Sequence, residues 1–210
     1  MIYSPDHNFL MLKNVKVGGT SLEVELSKVL PDNSIVTEIT PANTEHSPRN
    51  YNGFYNHMSY KDISSKIDLS KSCSYVFVRH PYDIQLSMLF YKLKQKNIIW
   101  KNISDIEKEK IVNKFFFEKQ EDFSMLKSTK HIYSDKNNIL VNQVLKYELG
   151  IEKQINKILT IHSIKNIKIN TFEKQYRPKE FTVKNTFNKE HLGKIYEEWA
   201  WEFNMFGYDK

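Results

Sequence analysis

The chain of 210 residues has one cysteine, six glycines, six prolines and only three arginines against 28 lysines. A lone Cys73 excludes an internal disulfide framework and a cysteine zinc cluster. No stretch approaches the ~18 consecutive apolar residues of a membrane span. The amino-terminal MIYSPDHNFLMLKNVKV lacks a basic region ahead of a long apolar run, so no signal peptide is expected, and the chain reads as cytoplasmic. Internal repeats and Gly/Ser or Pro-rich linkers are missing too, which points to a single domain over 1–210. The seven histidines lie scattered, without ligand spacing, so no metal is expected.

What is present suffices for a core: 40% of residues are hydrophobic and 13% aromatic. The net charge of +6 admits nucleic acid, an anionic surface or a polyanionic substrate as partner. It equally fits a solvated lysine surface of no specific purpose.

Two segments read as strand, loop, helix. NFLML (8–12) is a short apolar run, followed by a Gly18-Gly19 pair and then by Leu22, Leu26, Val29 and Leu30 at helical spacing, with Thr20 as the expected cap. SYVFV (74–78) is a second strand, and a helix starts near Pro81 and runs towards residue 96. Residues 31–60 are loop-rich. Helices are expected over 104–127, 152–162 and 194–207, with strand character at 139–148. This alternation predicts an α/β fold with a parallel central sheet. The aromatic groups Phe115-Phe116-Phe117 and Trp199/Trp201 are expected in the core.

Lys16-Val17-Gly18-Gly19-Thr20-Ser21 sits where backbone amides and a helix start can cradle an anion. A Walker A loop ends in Gly-Lys-Ser/Thr; here the lysine precedes the glycines, which disfavours an ATP or GTP site of that kind. Arg79 follows the second strand, at the end of a parallel strand where ligands bind, and offers a planar fork to phosphate. Ser87 lies eight residues on, in the next helix.

Together these segments resemble the sulfotransferase family that uses 3′-phosphoadenosine 5′-phosphosulfate (PAPS). Lys16–Ser21 is similar to its 5′-phosphosulfate loop, and Val-Arg-His-Pro-Tyr-Asp with Ser87 to its 3′-phosphate segment. Gly53-Phe54-Tyr55-Asn56-His57-Met58-Ser59-Tyr60 resembles a segment of the glycan 2-O-sulfotransferases. Leu145–Glu148 and Trp201–Tyr208 are similar to two further family segments. Val15, Val17 and Ile84-Gln85 depart from the usual residues, and the segment around His57 is one residue shorter than the glycan pattern.

The resemblance implies a P-loop-like sulfotransferase fold, with about five parallel strands flanked by helices. It implies PAPS as donor and a carbohydrate or small-molecule hydroxyl as acceptor, without nucleic acid. Lys16, Val17, Gly18, Gly19, Thr20 and Ser21 would hold the 5′-side, with Lys16 also catalytic by offsetting charge on the bridging oxygen. Arg79 and Ser87 would hold the 3′-phosphate, and His57 would be the general base. Arg177, in the Asn170–Arg177 segment, is a further candidate for the donor or acceptor. Glu23 and Glu25 are expected to be solvated, and His80 to hold its turn. A small-molecule kinase and a non-catalytic polyanion-binding module are the alternatives.

Overall fold

The computed structural model describes residues 1–118, 120, 122–170 and 176–210. The chain divides into two compact units, each assembled from two stretches: Met1–Arg79 with Thr129–Glu173, and His80–Ser128 with Lys174–Lys210.

The first unit is built on a five-stranded sheet. Its strands are β1 (Ile2–Ser4), β2 (Phe9–Leu12), β3 (Ile35–Val36), β4 (Cys73–Val78) and, after a small β5–β6 hairpin (Ser134–Asp135, Asn138–Ile139), β7 (Gln143–Lys146). The order is β3-β1-β2-β4-β7. β2, β4 and β7 are parallel neighbours, with Leu12 opposite Val76 and Val78 opposite Lys146. β1 runs antiparallel to both its neighbours, so the sheet is mixed rather than wholly parallel. The expected all-parallel sheet fails there because Pro5–Asn8 closes a tight turn, with Asn8 N–H on the Pro5 carbonyl at 3.1 Å, and a turn that short can only join antiparallel strands.

α1 (Gly19–Ser27) and α5 (Ile151–Ile161) cover one face of this sheet. Leu22 and Leu26 of α1 and Ile155, Ile158 and Leu159 of α5 join Phe9, Met11, Tyr75, Phe77 and Leu145 in one buried cluster. Every residue from Ser21 to Ser27 is buried. That overturns the expectation that Glu23 and Glu25 face solvent, for α1 has no solvent face over those two turns.

α1 stops at Ser27, short of Leu30. Pro31 cannot continue it, and Arg49 takes over its open carbonyls. The Arg49 guanidinium donates to Ser27, Leu30, Pro31 and Ser47 carbonyls at 2.9–3.3 Å. The loop-rich 31–60 stretch also holds β3, whose two residues are too few to carry a periodic signal, and ends at α2 (Tyr60–Ser64), capped by Ser59.

The second unit is helical: α3 (Pro81–Gln95), α4 (Asp105–Phe117), α6 (Val183–Thr186) and α7 (Lys189–Phe206). α4 ends at Phe117, well before the expected residue 127. The chain folds back so that Phe123 meets Phe115 at 5.8 Å between ring centroids and Met125 N–H donates to the Phe115 carbonyl at 2.8 Å. α7 begins earlier than expected because Asn188 and His191 form a reciprocal cap. Phe115, Phe116 and Trp199 are buried as anticipated, whereas Phe117 is 44% exposed. No helix among the described residues is long and apolar enough to cross a membrane.

Candidate functional site

Three turns leave the carboxyl ends of β2, β4 and β7, and each carries part of the site. The first is Lys13–Gly18, leading into α1. Asn14 ties it down: its amide donates to the Phe77 carbonyl at 3.2 Å and its Oδ1 accepts from Val15 N–H at 2.7 Å. Lys16 takes a left-handed backbone, φ 59°. Val17 points into the core and is 2% exposed, so only its backbone is placed to serve a ligand.

Gly18, not Thr20, is the N-cap of α1, with φ 75° and no side-chain cap. That conformation excludes most other residues, and a Cβ there would also sit 2.6 Å from Ile151 Cδ1. Thr20 lies two residues too late to cap: it is already inside the helix. An uncapped helix start with glycines at its mouth is a ready anion site, since first-turn amides face outward and the dipole favours negative charge. Ser21 is buried within the same turn.

The second turn begins at Arg79, half-buried. Its Nη1 donates to the Lys16 carbonyl at 3.1 Å, which joins the loop after β2 directly to the turn after β4. Its guanidinium lies over the Tyr147 ring, 4.3 Å from the centroid. Tyr147 opens the third turn, and the register that pairs Val78 with Lys146 accounts for the meeting. The stack holds the fork in one orientation, as a cation over an aromatic face does. Sequence reasoning noted Leu145–Glu148 as a family segment without assigning this contact.

His57 sits in the loop before α2, half-buried and with φ 63°. Its Nδ1 is 3.0 Å from the Lys13 carbonyl. A carbonyl only accepts, so Nδ1 carries the proton and Nε2 keeps its lone pair. Burial, and then the Lys13 ammonium, push the His57 pKa down to about 4. The imidazole is therefore neutral at neutral pH. Lys16 and His57, the two candidates for chemistry, thus both hold a backbone conformation that non-glycine residues seldom adopt.

Beneath the loop lies a buried ion pair that composition alone hid. Lys13 Nζ is 2.5 Å from Glu23 Oε2, and the amino group of Met1 is 2.7 Å from Glu23 Oε1. Burial raises the Glu23 pKa, but the two cations outweigh it and hold the carboxyl below its ordinary value. The signal was a lysine closing an apolar strand and a glutamate flanked by the core residues Leu22 and Val24, both easily read as solvated.

The remaining candidates belong to the second unit. Ser87 is half-buried on α3. Arg177 donates to Asp83 Oδ1 at 3.0 Å, so its guanidinium is at least partly engaged in an ion pair. Residues 171–175 of its segment lie outside the described residues. His80 caps α3, its Nδ1 accepting from Tyr82 N–H at 3.3 Å while Nε2 lies 3.1 Å from the Asp209 carbonyl. It holds its turn, as expected of a residue next to Arg79 that packs or holds the turn. Among the described residues no group of three or more His, Cys, Asp or Glu could hold a metal ion.

No protein-family model matches the chain, and a search of curated proteins finds no match.

Proposed function

We propose that the protein is a sulfotransferase of P-loop-like fold that moves a sulfuryl group from PAPS to an acceptor hydroxyl, with a carbohydrate as the favoured acceptor. The observation that carries this reading is the hydrogen bond from Arg79 to the Lys16 carbonyl. It brings together the two segments that resemble the family's 5′-phosphosulfate and 3′-phosphate motifs. The uncapped, glycine-bearing start of α1 supports it, since the residues there suit a phosphate.

In this scheme the Gly18–Ser21 turn holds the 5′-phosphate, and Arg79 grips the 3′-phosphate. His57 Nε2 removes the proton from the acceptor hydroxyl. The acceptor oxygen forms a bond to sulfur while the bond from sulfur to the bridging phosphate oxygen breaks. Lys16 offsets the charge that grows on that oxygen, and adenosine 3′,5′-bisphosphate leaves. Charge stabilisation and positioning dominate such a transfer, as they do in phosphoryl transfer. A pKa of about 4 makes His57 a weak base in isolation; an anionic donor beside it raises that value, because opposite charge favours the imidazolium.

Thermal stabilisation tests the reading. Adenosine 3′,5′-bisphosphate should raise the unfolding midpoint more than ATP or adenosine 5′-phosphate does. In Arg79→Ala that preference should vanish, a loss of about tenfold or more in relative affinity. Equal shifts with all three nucleotides, or none, would sink the proposal. Equal, strongly salt-dependent responses would favour a polyanion-binding module instead.

A further inference from the structure

Lys13 is the first residue beyond β2, and it touches three parts of the site at once. Its carbonyl accepts from His57 Nδ1 at 3.0 Å. Its stem lies against the anion loop: a Cβ on Gly19 would stand 3.0 Å from Lys13 Cγ. Its ammonium meets Glu23 on α1 at 2.5 Å, and the two side chains are only 4% and 3% exposed.

A buried ion pair is a poor way to gain stability. Desolvation costs several kcal/mol per ion, and an apolar pair of similar volume often serves a fold as well or better. What the charged pair adds is direction. Glu23 fixes the lysine side chain, packing against Gly19 fixes its stem, and the Lys13 carbonyl is left pointing at the imidazole.

Resting on the reading of His57 as the base, we propose that Lys13 and Glu23 are a positioning pair for it. Glu23 anchors Lys13, and Lys13 holds His57 in the one tautomer that leaves Nε2 open to an acceptor hydroxyl. The pair also links the base to the anion loop, because Glu23 stands on the helix whose start forms that loop. The charged groups acting on His57 are the Lys13 ammonium and Met1 amino group, which disfavour its protonation, and the Glu23 carboxylate, which opposes them.

Long-range proton–nitrogen NMR on the whole chain reads both tautomer and titration without needing an acceptor. In the wild type the His57 ring should be a single Nδ1–H species that titrates near 4. In the Lys13→Met/Glu23→Leu double variant the Nε2–H tautomer should rise at least about fivefold, the weight of one ordinary hydrogen bond. Its titration should rise, because the Lys13 cation lost outweighs the Glu23 carboxylate lost with it, while burial still holds it below the ordinary value. Glu23→Gln keeps volume and shape and serves if the double variant does not fold. The Nε2–H tautomer should rise in the same way, but the titration should fall further, because the carboxylate that offsets the Lys13 and Met1 cations is gone. A folded variant with an unmoved His57 spectrum overturns the pairing role. Retained sulfuryl transfer in His57→Ala would instead overturn the base reading, so the two failures are distinct.

Discussion

Two histidines of the first unit, at opposite ends of β2, show how similar anchoring yields different chemistry. Both donate Nδ1–H to a main-chain carbonyl: His57 to Lys13 at 3.0 Å, His162 to His7 at 2.8 Å. The His7 ring returns the favour, its Nδ1 lying 2.9 Å from the His162 carbonyl. At His162 the other nitrogen is occupied by Tyr75, whose hydroxyl lies 2.8 Å from Nε2. Phe9 and Tyr75 also pack edge-on against that ring. No such partner meets His57 Nε2 among the described residues. One imidazole is a clasp between the β1–β2 turn and the end of α5, with every polar atom spent. The other is held by one side only, and the remaining lone pair is what a general base requires.

The sharpest way to break that contrast is to remove each ring. His57→Ala should lower transfer of a radiolabelled sulfuryl group from PAPS to a panel of hydroxyl acceptors by about 10²–10⁴-fold, with nucleotide-induced stabilisation retained. His162→Ala should leave transfer rates near wild type and lower stability by about 1–3 kcal/mol, since it orphans buried partners. An equal loss of transfer in both variants would erase the distinction.

Acid provides the next test. His57 is held near 4 in the folded chain against ~6.5 when unfolded. The unfolded state therefore binds the extra proton first. This contribution to stability is full above pH 6.5 and is lost as pH falls towards 4, on the order of 1–3 kcal/mol. Denaturant unfolding followed between pH 7 and 4 should show that loss, and His57→Ala should flatten it. A loss undiminished by the substitution would place its source elsewhere.

The smallest effect belongs to the clasp. Tyr75→Phe removes one hydroxyl and should cost about 1 kcal/mol in chemical denaturation, with no change in nucleotide preference. A changed preference would show that the clasp reaches the site after all.

The contrast also marks what a sequence displays. β2, β4, α3 and α5 were legible because their apolar residues recur with a clear period and their ends carry Gly or Pro. β1 and β3 were not, at three residues and two, since pairing rather than propensity creates them. Lys16 and Arg79 stood out by local pattern, but their mutual contact depends on strand order. Glu23 misled for a definite reason. An amphipathic helix shows its solvent face through its charges, whereas α1 is buried from Ser21 to Ser27 and hides its acid against Lys13. The left-handed backbone at Lys16 and His57 had no sequence signature, neither residue being glycine or asparagine.

The grip of Arg49 on the end of α1 bears on the other end of that helix. A helix whose closing Ser27 carbonyl already holds a cation, and whose middle is tied by Glu23 to Lys13 and Met1, is anchored before any anion of the kind proposed reaches its start. The entropy of ordering the receptor is spent during folding, before any encounter. Affinity for the anion proposed at the Gly18 turn would then be set by the contacts themselves and not by a search for the right conformation.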